Sequence, residues 1–269
     1  MAGDTGSLVR LEERDGVAVV TLDDPDKRNM LSDAMVAELL EVLDRVEGSA
    51  TAGALVVTGA PPAFCAGASL GNLGRAGEGA RREGGARQSE GLRGIYEAFL
   101  RVSRSPLPTV AAVNGAAVGA GMNLALACDV RVVAESARFD TRFLELGLHP
   151  GGGHTWMLQR AVGEQTALAM VLFGQVLRGP EAAARGLAWT CHPDGEVVDA
   201  AVELAGRAAS APPELARRVK QTLRIVATLD DHEAAVDTEL EAQVWSLAQP
   251  WFAERLAAVQ QRVSGRPKG

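Results

Sequence analysis

Cysteine is scarce in this 269-residue chain: Cys65, Cys128 and Cys191 are the whole complement. They are odd in number and lack Cys-x-x-Cys spacing, which excludes a disulfide framework and a zinc ribbon. Reduced thiols, no structural metal site and a cytoplasmic location are the expectation. No basic-then-apolar segment opens the sequence, and no uncharged apolar run approaches membrane-spanning length, so no membrane association is expected. Positive charge is in deficit, with 27 Lys and Arg against 34 Asp and Glu and a net charge of −7. A nucleic-acid partner needs a basic face and is excluded on that ground. A small anionic ligand is not, because a local pocket can oppose the global sign. Also missing are a Gly-x-Gly-x-x-Gly register and a Gly-Lys-Ser/Thr step, which removes the common nucleotide loops.

The composition that remains, 47% hydrophobic and 23% charged, is that of a globular protein with a substantial core. Residues 8–13 and 16–22 read as a hairpin turned at Asp15-Gly16. Ser32 caps a helix whose apolar face is Val36, Leu39, Leu43 and Val46. Strand 54–58 follows, so strand, helix and strand alternate as in an α/β core. Residues 59–70 read as a loop. Residues 71–91, rich in Gly and Arg, have almost no large apolar side chain; they read as a mobile surface excursion or a lid. Strands at 109–113 and 130–133 enclose a small-residue bend at 114–121 and a short helix at 124–127. Helices are expected at 163–172, 180–185, 196–209, 213–227, 231–248 and 251–263, with no strand after about residue 177.

The bend 114–121 carries Gly115, Gly119 and Gly121. Glycines let the backbone approach a ligand closely, and the helix that follows aims its free N–H groups back at the bend. Such a bend suits a negative oxygen, although a turn that merely packs would look the same. Gly67-Ala68-Ser69-Leu70-Gly71 matches the Gly-x-Ser-x-Gly elbow of α/β-hydrolases, with Asp129 or Asp140 and His149 or His154 in triad order. That elbow requires strand, turn and helix in direct succession, and the sequence reads here as loop followed by glycine-rich coil.

Ala63-Phe64-Cys65-Ala66-Gly67-Ala68-Ser69-Leu70 and Asn114-Gly115-Ala116-Ala117-Val118-Gly119-Ala120-Gly121 together resemble the two oxyanion loops of the crotonase (enoyl-CoA hydratase/isomerase) superfamily. The Ala-Cys-Asp-Val-Arg-Val-Val continuation and the spacing of Gly147 to Gly153, Leu177 and Gly186-Leu187 extend the resemblance over roughly residues 8–265. It implies an α/β fold, a spiral of repeated ββα units with a C-terminal helical oligomerisation region. Residues 1–200 would form the core with an acyl-CoA pocket and 201–269 the helical region, assembling as a trimer or dimer of trimers. It implies no cofactor beyond the coenzyme A of the substrate thioester. By motif position the main-chain N–H groups of Ala68 and Ala120 would hold the thioester oxygen. Lys27 and Arg28 would lie near the CoA phosphates and the Ala66 carbonyl at the adenine, with Gly67, Ser69, Gly119 and Phe143 against the substrate.

The family's acid positions read differently here. Hydration uses one carboxylate to activate water and another to pass a proton to the α-carbon. The first position holds Asn123 and the second Phe143, while an alternative acid position after Pro150 holds Gly151; Ser69 stands where an Asp is usual. An amide can orient water but cannot take its proton. Glu145, two residues past Phe143, either turns away on a helix or shares its face on an extended segment. His149 and His154 flank the glycine bend, and Glu83 and Glu90 lie in the expected lid. The readings left open are a hydratase/isomerase-type enzyme with a displaced acid, a malonyl-type acyl-CoA decarboxylase, and a non-catalytic acyl-CoA-binding protein.

Overall fold

The structure, a computed structural model, describes residues 6–83 and 89–264. In chain order its elements are β1 (Val9–Arg14), β2 (Val17–Leu22), α1 (Asp33–Gly48), β3 (Ala54–Gly59), β4 (Ala63–Cys65), α2 (Leu70–Glu83), α3 (Ser89–Arg104), β5 (Thr109–Val113), β6 (Ala116–Val118), α4 (Ala120–Ala127), β7 (Val130–Ala134) and β8 (Arg138–Asp140). There follow α5 (His154–Phe173), β9 (Leu177–Arg178), α6 (Gly179–Ala184), β10 (Thr190–His192), α7 (Val197–Ala209), α8 (Pro213–Val226), α9 (His232–Leu247) and α10 (Pro250–Ser264).

Two sheets organise the chain. The larger has the order β1-β2-β3-β5-β7-β10 and the smaller β4-β6-β8-β9. Only the outer pairs β1/β2 and β8/β9 are antiparallel. Each turn of the chain lays one strand in the large sheet, one short strand in the small sheet, and then a helical segment: β3-β4-α2/α3, then β5-β6-α4, then β7-β8-α5. This is the expected spiral of ββα units. Strands β3 and β5 are buried at every position, as a parallel sheet covered on both faces requires. Helix α7 covers one face of the large sheet through Val197, Ala201 and Ala205.

Local chemistry explains the ends. Asp15 and Gly16 both have positive φ, 51° and 80°, the geometry of the tight hairpin turn. The Ser32 hydroxyl accepts a 3.2 Å bond from the Met35 N–H and starts α1 as expected. Helix α8 is tied to the sheets by Lys220, whose Nζ lies 2.6 Å from Asp129 Oδ2; that oxygen also accepts from Thr109 N and Oγ1. Beyond it, α9 has no buried residue, and Val236, Leu240, Val244, Leu247, Leu256 and Val259 are exposed along α9 and α10. No helix of the described residues is long and apolar enough to cross a membrane.

Five expectations are corrected. The loop 59–70 contains strand β4, and the bend 114–121 contains strand β6; both are three-residue strands, β4 pairing with β6 and β6 also with distant β8. The expected coil after Ser69 is helix α2, which packs on α3 despite its glycines; each interior glycine costs about 1 kcal/mol of helix stability, and packing overrides that. Residues 84–88 of the expected lid lie outside the described residues. Strand β10 forms after residue 177, in register with β7. Helix α5 begins at His154 instead of 163, with Gly163 (φ 75°) as an internal kink.

Candidate active site

The small sheet positions the two loops singled out in the sequence. Strands β4 and β6 are parallel neighbours, with Cys65 opposite Ala117, so the residues after their carboxyl ends emerge side by side. Gly67 has φ +90°, and a methyl group added there would come within 2.4 Å of Val118 O and 3.4 Å of Ala120 N. Gly121 is equally constrained, since a methyl group would sit 2.1 Å from Cys65 O. The glycines let one loop lie on the other. Gly119, with φ +51° and no side chain to cap α4, leaves the first N–H of that helix open. Among the described residues, neither the Ala68 N–H nor the Ala120 N–H donates a hydrogen bond. Such N–H groups are usually paired unless a ligand or water takes them.

Both alanines line a cavity of about 670 Å³. Its mouth is formed by the loop carrying Lys27 and Arg28, with Ala66 and Gly67 beside them. Asn29, fully buried, staples that loop. Its amide donates to Ala60 O and Ala63 O, each at 2.8 Å, and accepts from Asp24 N at 3.0 Å. Arg28 and Asn29 both have positive φ, and the Ala66 N–H donates to Arg28 O at 2.9 Å. Lys27 pairs with Asp24 at 3.1 Å. The apolar wall comes from Met30, Leu70, Leu73, Ile95, Val118 and Phe143.

The other end is polar. Asn123, one turn along α4 from Ala120, donates from Nδ2 to Gly151 O at 3.0 Å. Its Oδ1 lies 2.6 Å from His154 Nδ1, so the network assigns the proton to Nδ1 as donor. His154 is 1% exposed, packs edge-on against Phe143 with centroids 4.9 Å apart, and its Nε2 has no partner among the described residues. Burial pushes its pKa down to about 4, so the ring is neutral near pH 7. Tyr96 reaches the same end from α3, its ring 5.6 Å from Phe99.

The structure thus brings Lys27, Arg28, Ala66, Gly67, Ala68, Gly119, Ala120, Asn123, Phe143, Glu145 and Gly151 to one cavity. Ser69 is adjacent in sequence but not part of the wall. Glu145 lies on neither a helix nor a strand: residues 143–147 form a turn, and its largely exposed carboxylate pairs with Arg142 at 3.1 Å. It is the carboxylate among the described lining residues. His149 lines the cavity, with Nδ1 2.7 Å from Pro150 O. The topological objection to the hydrolase elbow falls, because β4 and α2 do flank Ser69; what removes that reading is that no hydrogen bond among the described residues joins Ser69 to a histidine. The side chains of Glu83 and Glu90 lie outside the described set. Sequence reading passed over Tyr96; its being the chain's sole tyrosine was the one available signal.

Comparison with known proteins bears on this arrangement. The enoyl-CoA hydratase/isomerase family model matches residues 12–251. The Mycobacterium tuberculosis (H37Rv) protein named probable enoyl-CoA hydratase EchA14 is 50% identical over 251 residues, 91% of this chain and 94% of that one. The 1,2-epoxyphenylacetyl-CoA isomerase of Escherichia coli K12 is 34% identical, over 85% of this chain and 84% of its own. The crystal structure of an enoyl-CoA hydratase from Polaromonas sp. JS666 superposes with a TM-score of 0.85 at 27% identity, covering 94% of this chain and 97% of that one. With the ββα spiral and the paired loops already in place, these matches establish that the chain belongs to the enoyl-CoA hydratase/isomerase (crotonase) family.

Proposed function

We propose that the chain is an acyl-CoA enzyme of hydratase/isomerase type that stabilises a thioester enolate with the main-chain N–H groups of Ala68 and Ala120. The observation that carries this reading is the pair of unpaired donors at adjacent strand ends, opening into one cavity. A donor held in advance where negative charge develops contributes about 3–4 kcal/mol to the transition state. The dipole of α4 adds to it, because Ala120 is that helix's first residue.

In this reading Lys27 and Arg28 hold the CoA phosphates and the Ala66 carbonyl meets the adenine. Gly67 and Gly119 give the thioester room, Phe143 packs against the acyl chain, and Ser69 supports the first loop. Asn123 orients water. Asn123, Phe143 and Gly151 leave the family's usual acid positions without a carboxylate, and Glu145 is engaged by Arg142, so two-carboxylate hydration is slow. Residues 1–200 carry the pocket, and 201–269 carry assembly. Support for assembly comes from the exposed apolar side chains of α9 and α10 and from Leu168, Leu172 and Phe173 on α5. The assembly is a homotrimer or a dimer of trimers.

The experiment is incubation with crotonyl-CoA, a 3-enoyl-CoA and methylmalonyl-CoA, each followed by chromatography. Turnover of either unsaturated thioester is the expected result. Loss of CO₂ from methylmalonyl-CoA in their place would make the protein a decarboxylase. Tight binding of all three without turnover would make it a carrier.

A further inference from the structure

Gly151 lines the cavity, and its φ lies outside the left-handed region that favours glycine. Space, not backbone conformation, demands glycine there. A methyl group at 151 would sit 2.2 Å from the Tyr96 hydroxyl oxygen and 3.2 Å from the ring carbon bearing it. The phenol tip therefore occupies the volume that any side chain at 151 would take. Tyr96 is the only tyrosine in the chain, and its hydroxyl has no hydrogen-bond partner among the described residues.

Among the other lining groups able to transfer a proton, Lys27 is paired with Asp24, Thr141 donates to Met170 O at 3.0 Å, Glu145 is paired with Arg142, and His149 contacts Pro150 O through Nδ1. Asn123, bonded to Gly151 O and to His154, is an amide: it can orient water but cannot supply the proton. Tyr96 is partly buried; its ring packs on Phe99, and the residue lines the cavity, an apolar body with a polar tip.

We infer that Tyr96 is a catalytic residue of this site, the proton donor to the substrate's α-carbon; the inference rests on the acyl-CoA reading above. In hydration, the oxygen of water bonds to the β-carbon and the thioester enolate forms. The enolate's electron pair then takes the Tyr96 proton: the phenol O–H bond breaks, the α-carbon C–H bond forms, and the thioester carbonyl is restored. The phenolate recovers its proton from the water that has added. A phenol O–H is a donor that can give its proton without an activating carboxylate.

The test uses the full-length protein with crotonyl-CoA in D₂O, reading rate, KM and deuterium at C2, together with butyryl-CoA affinity. Tyr96→Phe keeps the ring on Phe99. It is expected to lower kcat by about 100-fold or more while KM stays within about twofold. Gly151→Ala tests the same atom from the other side: its methyl group forces the phenol tip and the ring carbon bearing it to shift, and in a variant that still binds butyryl-CoA kcat falls similarly. The double variant is expected to lose little beyond either single change, because both remove one function. Wild-type turnover that persists in Tyr96→Phe would overturn the inference. So would butyryl-CoA binding without turnover or C2 labelling, although the thioester pocket would then stand. Failure to bind butyryl-CoA would remove the pocket reading and the inference with it.

Discussion

His154 is a basic side chain kept neutral inside the protein, which makes stability depend on pH in a calculable way. An imidazole titrates near 6.5 in an unfolded chain, and here burial brings it down to about 4. Below pH 6.5 the unfolded chain takes up a proton that the folded protein refuses until about pH 4. The contribution is therefore fully present above pH 6.5, is lost as pH falls from 6.5 to 4, and changes no further below that. Across this window the loss is about 3 kcal/mol, at 1.36 kcal/mol for each pH unit between the two values. Urea unfolding of the wild type and of His154→Gln, at equal protein concentration from pH 7 to pH 4, isolates the effect from the carboxylates, which titrate in both. The stability advantage of the wild type over the variant should shrink by about 3 kcal/mol. A difference that stays constant across the window would refute the buried neutral ring.

Other consequences follow from single contacts. Gly67→Ala would push a methyl group to 2.4 Å from Val118 O at φ +90°; separating the two loops should lower turnover of an unsaturated acyl-CoA by about 100-fold, the worth of one oxyanion donor. Asn29→Ala removes the bonds that tie the Lys27–Arg28 loop to Ala60 O, Ala63 O and Asp24 N and should cost about 3 kcal/mol in chemical denaturation, with weaker acyl-CoA binding by calorimetry. Lys220→Met removes one of two cations beside Asp129, which is partly exposed and keeps Arg224 and its Thr109 bonds; the expected loss is about 2 kcal/mol, below the full value for a wholly buried pair. Light scattering should report three or six copies per particle, and Leu240→Glu with Val244→Glu on α9 should shift it to smaller species. Asn123→Glu with Phe143→Glu should raise crotonyl-CoA hydration; no gain in a folded double variant would count against reading those residues as acid positions.

The features legible in the sequence were those written in neighbouring residues. Asp15-Gly16 announces a hairpin through its own backbone preference, Ser32 announces α1 through its hydroxyl, and the glycines of the two loops announce close backbone approach. What escaped depends on residues far apart. Strands β4 and β6 are three residues long and exist because each pairs with the other, some fifty positions away. Helix α2 contradicts its own glycine-rich composition and forms on a surface supplied by α3. The Asn123–His154 bond and the seat of the Tyr96 phenol over Gly151 join separate turns of the spiral, and no local pattern encodes either. Glu145 illustrates the middle case: its ion pair with Arg142 is local, but whether it shares the Phe143 face depended on a turn that was neither helix nor strand.

Everything rests on two main-chain donors meeting at one carbonyl oxygen, and a crystal structure of the protein with butyryl-CoA measures that directly. The expected result is a thioester oxygen about 2.7–3.1 Å from both Ala68 N and Ala120 N, the range for such donors, with the acyl chain running toward Phe143 and Tyr96. A thioester bound elsewhere, or an oxygen touching neither nitrogen, would contradict it.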